Sequence, residues 1–174
     1  MKVIAVLGAL AVALLVQTTL AGMSYEAGTL VNAVLIAVVY VSLALGPVAG
    51  LLSGAAGGLV QDAIAGGIVG LGGLSKTLVG FVVGVLGAQF IVSQPAARFV
   101  MFVGATVLHE LCFQSLFALA DGQAIRFAWR SIFTQAAVNA VIGIVAFQLI
   151  EGAPGMVQRR QARRSTSFSR RRFL

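Results

Sequence analysis

The side chains of this sequence that could do chemistry are few, and they lie inside long apolar stretches. A charged side chain in the core of a membrane costs about 2.5–3.5 kcal/mol, so each one needs a partner or a water-filled cavity. Proton transfer and substrate binding are tasks that such groups perform there. The candidates are Asp62, Lys76, His109, Glu110, Gln114, Gln135 and Asn139.

The amides and the His109–Glu110 pair permit a structural and a functional interpretation. Gln114 follows Glu110 by four residues, so the two side chains share one face of a helix. Gln135 and Asn139 share a face of the next helix for the same reason. Two such faces predict an interhelical hydrogen-bond seam, in which each bond contributes about 0.6–2 kcal/mol. Alternatively, His109 and Glu110 bind protons or a substrate, because histidine titrates near neutral pH.

Asp62 and Lys76 are opposite charges on either side of a glycine-rich segment. Glycines at positions 66, 67, 70, 72 and 73 predict a turn, and both charges lie at the same distance from residues 68–70. Folding there brings the two charges to a similar depth. They either form an ion pair that braces the hairpin or reach in opposite directions towards water. Removing one partner of a buried pair costs about 3–5 kcal/mol.

Two local motifs imitate catalytic or phosphate sites without completing them. The segment HELCF begins like a zinc-protease motif, but Phe113 replaces the second histidine and His109 is the sole histidine. The segment GLGGLSKT imitates a phosphate-binding loop, but Ser75 occupies the position before Lys76 where glycine is needed. Cys112, the single cysteine, is expected to be a small buried hydrophobe. We therefore predict a non-enzyme without catalytic residues, metal ligands or cofactor.

The composition identifies the elements that must position these groups. With 59% hydrophobic residues, 10% charged residues and a mean hydropathy of +1.01, the chain is not a soluble globular domain. Apolar stretches long enough to cross a membrane recur six times. We predict an all-α bundle of six transmembrane helices over residues 3–21, 30–45, 48–63, 69–92, 97–120 and 131–150.

Small residues recur every fourth position on several of these helices. Such spacing clears one helix face and lets another backbone approach closely. There are more such faces than a six-helix bundle needs internally, so we expect at least one of them to contact a partner helix. The positions are Ala5, Ala9, Ala13, Gly46, Gly50, Gly54, Gly58, Gly80 and Gly84.

Residues 152–174 form an arginine-rich tail with too little apolar surface to fold alone, so we predict that it is disordered. The positive-inside rule places the tail and Lys2 in the cytoplasm, and six spans satisfy both placements. Arg126 and Arg130 then fall outside, as exceptions to the rule. The tail could fix the topology, bind anionic lipids at about 1 kcal/mol per residue, or dock on an acidic partner. Its basic residues are Arg159, Arg160, Arg163, Arg164, Arg170, Arg171 and Arg172.

The segment GLVQDAIAGGIVGLGGLSKTLVG, residues 58–80, resembles the GLxxD…G…GL signature of the MreD family, and chain length and span number agree over residues 1–150. The resemblance implies a non-catalytic component of the bacterial cell-elongation machinery in the cytoplasmic (inner) membrane, which maintains rod shape. It implies a bitopic MreC partner, and an assembly with MreB filaments and peptidoglycan-synthesising enzymes. Asp62 matches the motif, with a role in structure or at a partner interface. No nucleic-acid partner is expected.

Two other functions remain open at this point. The substrate-binding S component of an energy-coupling-factor vitamin transporter is similar to MreD in size and six-helix architecture. Ala5, Ala9 and Ala13 resemble the AxxxA face by which such components dock, although the loops here are short and poor in polar and aromatic residues. A small proton-coupled carrier would instead require a water-filled cavity that reaches Asp62, Lys76, His109 and Glu110, whereas a scaffold would pair them in a dry core.

Overall fold

The computed structural model describes residues 2–90 and 94–169, and every regular element in this part of the chain is a helix. Six helical stretches are long and apolar enough to cross a membrane, with α2 and α3 together forming the second, Glu26–Leu45. The predicted all-α class and the six spans are thereby confirmed. The helices are α1 (Lys2–Met23), α2 (Tyr25–Leu30), α3 (Ala33–Leu45), α4 (Pro47–Ala65), α5 (Leu71–Gln89), α6 (Pro95–Ala120) and α7 (Trp129–Ser169).

Glycines with positive φ make the tight connections that reverse the chain. Gly46 has φ +91° and joins α3 to α4, whose first residue is Pro47, a residue that needs no helical hydrogen bond there. Gly66 and Gly70 have φ of +70° and +108° and enclose the turn between α4 and α5. This turn lies at the same end of the bundle as the α1–α2 junction and the α6–α7 loop. We call it the loop end.

The glycine ladders of α4 and α5 face each other. A Cβ atom on Gly50 would overlap the carbonyl of Gly80, and one on Gly84 would overlap Pro47. A Cβ atom on Gly54 would overlap the backbone of Lys76. The two ladders are therefore used inside the molecule, where they let the backbones of α4 and α5 touch.

The main core lies between α3, α5, α6 and α7. Leu35, Val79 and Phe102 are almost fully buried in it, and the ring of Phe102 fills the space beside Gly143. Helix α1 is attached mainly through Leu10, which packs in a second cluster against α3. Only 17% of the α1 span is buried, the lowest share of the six spans. Helix α1 is thus a peripheral element.

Helix α7 continues well past the predicted end of the sixth span. Its backbone is helical to Ser169, and the disorder expected for the arginine-rich tail stays a prediction. Residues 170–174, with Arg170, Arg171 and Arg172, lie outside the described residues, as do the side chains from residue 151 onwards. Membrane-surface binding by the tail stays a prediction.

Candidate functional site

The second span is broken about a quarter of the way along its length, at residues 31 and 32, which the sequence did not reveal. Val31 and Asn32 have non-helical backbone angles between α2 and α3. In a membrane, the backbone groups that such a break releases must find partners inside the protein. Gln17 of α1 supplies two of them: its Nε2 donates to the carbonyl of Gly28 at 3.0 Å, and its Oε1 accepts from the N–H of Ala33 at 2.8 Å. A buried amide in an apolar helix was the signal that could have indicated this role.

Asn139 of α7 supports the break from the opposite side. Its Oδ1 accepts from the N–H of Asn32 at 3.0 Å, and the side chain is fully buried. Its Nδ2 donates to Thr106 Oγ1 of α6 at 3.4 Å. In the described part of the chain, this is the one hydrogen bond that joins the polar faces of α6 and α7, because Gln135 makes none to α6. The predicted seam is therefore short, and it serves the broken span.

His109 lies against the break and is 2% exposed. Asn32 uses its Oδ1 to cap α3 at the N–H of Leu35, which leaves its Nδ2 to donate to His109 Nε2 at 3.2 Å. Because Nε2 accepts, the proton of the neutral ring is on Nδ1. This Nδ1 atom is buried and has no hydrogen-bond partner within the residues that the structure describes.

Lys76 is also 2% exposed and lies in the same region of the bundle. Its positive charge is attracted by the carboxylates of Asp62 and Glu110. Over residues 2–90 and 94–169, however, it makes no salt bridge within 4.0 Å and no hydrogen bond. Lys76 and His109 thus present donors without a protein acceptor, so a water oxygen or another hydrogen-bond acceptor is the kind of group that this cluster could hold.

Asp62 fixes the turn at the loop end instead of pairing with Lys76. Its Oδ2 accepts from the N–H groups of Gly70, Gly72 and Gly73 at 2.9, 2.9 and 3.1 Å. These are the free donors at the start of α5, where a carboxylate also interacts favourably with the helix dipole. Asp62 and Lys76 therefore neither form an ion pair nor both reach towards water. The Asp62 carboxylate binds backbone N–H groups instead of the Lys76 ammonium group.

Glu110 and Gln114 tie α6 to the loop that follows it. Gln114 Nε2 donates to Glu110 Oε2 at 3.1 Å, and Gln114 Oε1 accepts from the N–H of Ala128 at 3.2 Å. Both residues are half-buried. Gln114, like Gln17, uses a side-chain amide to hold backbone that has left a helix.

Three cavities surround the bundle, and none of these three is lined by Asp62, Lys76, His109 or Glu110. One of about 640 Å³ lies between α6 and the α6–α7 loop. One of about 540 Å³ lies between α1, α3 and α4, and one of about 500 Å³ lies between α1, α2 and the end of α4. The cavity that a proton-coupled carrier requires is not among them.

The predicted alanine face of α1 and the single cysteine are only partly buried. Ala13 is buried, Ala9 is half-buried and Ala5 is exposed, so the alanine face is covered only towards the loop end. Cys112 is half-buried, more accessible than predicted. Among the described residues, His, Cys, Asp and Glu form no group of three that could hold a metal ion.

Comparison with protein families identifies a match for this chain. A family model described as rod shape-determining protein MreD matches residues 2–152, which is most of the chain. No curated protein and no solved structure matches.

Proposed function

Because the chain belongs to the MreD family of rod shape-determining proteins, we propose that it is a non-enzymatic membrane scaffold of the bacterial cell-elongation machinery. It binds a MreC-like bitopic protein and links it to MreB and the peptidoglycan-synthesising enzymes. It resides in the cytoplasmic (inner) membrane with both termini in the cytoplasm. The basic residues near both ends of the chain support this orientation.

The observation that carries the proposal is the apolar groove beside α1. The cavity of about 540 Å³ has a floor of small α4 residues, Ala49, Ser53 and Ala56, which follow one another by four and three residues. Leu7 of α1 and Leu52 of α4 line it and are 58% and 60% exposed. A floor of small residues between larger apolar side chains suits a close-packed helix.

The occupant that we propose is the single transmembrane helix of the bitopic partner. The glycine ladders of α4 and α5 are already occupied by each other, so they offer no surface to a partner. Ala5 is exposed and Ala9 is half-buried on the same helix as Leu7, which extends the free small-residue surface of α1. The lightly packed α1 and the floor of α4 are therefore the surfaces best suited to a further helix.

Co-purification tests this surface. We expect Leu52→Trp, which fills the groove, to lower recovery of a MreC-like protein from native membranes at least about tenfold, equivalent to about 1.4 kcal/mol. The matched control is Leu119→Trp, at a residue of α6 that is 71% exposed and does not line the groove. Normal recovery with both variants would contradict the proposal. Gly50→Leu and Gly54→Leu are unsuitable probes, because their side chains would collide with the α5 backbone.

One observation favours a transporter S component as a second candidate. Gln61 Oε1 is buried without a hydrogen-bond partner in the described structure, and Gln61 lines the cavity of about 500 Å³ with Gln17, Thr18 and Thr29. A polar small molecule that donates a hydrogen bond to Gln61 Oε1 could occupy this cavity. Recovery of ATPase subunits, or of a tightly held vitamin, in the same purification would favour this alternative over the scaffold.

A further inference from the structure

The cavity between α6 and the α6–α7 loop has no part in the proposed scaffold function. It measures about 640 Å³ and combines two kinds of lining. Phe113, Phe117 and Ala118 of α6 form an apolar wall, and Gln123 and Arg126 of the loop form a polar rim. Apolar walls with a cationic rim match an amphiphile rather than a soluble ion.

The loop holds this rim beside α6 rather than beyond its end. Gln114 Oε1 accepts from the N–H of Ala128 at 3.2 Å, so the end of the loop is fixed next to Gln114. The Cα atom of Gln114 lies six residues, or about 9 Å, before the end of α6. Arg126, two residues before Ala128, therefore lies beside the last turns of α6 and not beyond its end.

The aromatic side chains at this level are typical of a membrane interface. Trp129 lies 5.4 Å from Phe127 and 6.2 Å from Phe133, measured between ring centroids, and it is 52% exposed. Tryptophan prefers the depth of the lipid head groups, where its ring meets the chains and its N–H meets water. An arginine at the same depth lies level with lipid phosphates.

The guanidinium of Arg126 is available for such a phosphate. Within the part of the chain that the structure describes, no hydrogen bond or salt bridge engages Arg126. The carboxylate of Asp121, the one acidic residue of the loop, accepts from Gln123 instead. Glu110, deeper on α6, accepts from Gln114. Both neighbouring carboxylates thus have partners of their own.

From this arrangement we propose that the cavity binds an anionic phospholipid of the leaflet on the loop side. The phosphate contacts Arg126 at the rim, and an acyl chain lies against Phe113 and Phe117. This site is at the opposite end of the bundle from the arginine-rich tail, so it is separate from any lipid contact of that tail. It also accounts for an arginine on the side where basic residues are normally few.

The sole tryptophan provides the test, because Trp129 follows Ala128 at the edge of the loop. The protein is reconstituted in vesicles of phosphatidylcholine that contain brominated phosphatidylglycerol or, at equal mole fraction, brominated phosphatidylcholine. Bromine quenches tryptophan only at short range. We expect phosphatidylglycerol to be enriched about fivefold at Trp129. This enrichment corresponds to the attraction of about 1 kcal/mol between one basic residue and anionic lipid.

Three variants distinguish a specific lipid site at Arg126 from a nonspecific attraction between basic residues and anionic lipid. Arg126→Gln removes the preference, Arg126→Lys retains most of it, and Arg130→Gln, which changes an arginine outside the cavity, leaves it intact. Equal quenching by the two lipids in the wild type would overturn the proposal. The same holds if Arg130→Gln abolishes the preference as fully as Arg126→Gln, or if Arg126→Lys fails to retain any of it.

Discussion

At the scale of single residues, polar side chains of this protein serve backbone groups more than they serve each other. Asp62 binds three N–H groups of a turn, Gln17 bridges both sides of a helix break, and Gln114 holds the end of a loop. Each of these backbone groups would be costly to leave unsatisfied in a membrane. The polar residues within the spans therefore act chiefly as supports for irregular backbone.

Replacing Asp62 by alanine tests this role. We expect the free energy of unfolding to fall by about 1–3 kcal/mol, because three N–H groups lose a charged acceptor. Thermal unfolding of the detergent-solubilised protein measures the change. Lys76→Met is the control: it keeps the shape of the side chain, and we expect a change within about 1 kcal/mol. A loss of about 3–5 kcal/mol for Lys76→Met would indicate that the two residues form an ion pair after all.

At the scale of elements, the break between α2 and α3 is the feature that organises the loop half of the bundle. The partners of the break come from α1 and α7, so the second span is held by the helix before it and by the last helix of the bundle. His109 of α6 adds a third contact through Asn32. Broken helices at membrane depth are tolerated only where the protein satisfies their free backbone groups, and here residues of three helices, α1, α6 and α7, meet at the break.

Asn139→Leu tests the support of the broken span. The variant keeps the branched shape of the side chain but leaves the N–H of Asn32 without its acceptor, so we expect a loss of about 1–3 kcal/mol. The matched control is Gln135→Leu, one turn earlier on α7, which removes a buried amide that does not bind the break. Hydrogen exchange should show faster exchange at the break for Asn139→Leu alone. Equal effects of both substitutions would show that the break does not depend on Asn139.

At the scale of the whole molecule, hydropathy and glycine spacing were sufficient to predict the six spans and the α4–α5 hairpin. Gly50 and Gly54 were identified from spacing, but only the folded structure reveals that they contact α5 and not a partner. The break at Val31 and Asn32 could not be predicted, because Gln17 lies 16 residues from Ala33 and Asn139 lies 107 residues from Asn32, and no glycine or proline marks the break itself. Local patterns determine which helices form, whereas long-range contacts determine where a helix is interrupted.

The most direct test of the scaffold proposal is site-specific photo-crosslinking in living cells. A photoreactive amino acid at Leu52, in the groove between α1, α3 and α4, is predicted to crosslink to the transmembrane helix of a MreC-like protein. The same amino acid at Leu119 of α6, an exposed position outside the groove, is predicted to give no such product. A crosslink to that partner from Leu119 and none from Leu52 would contradict the account.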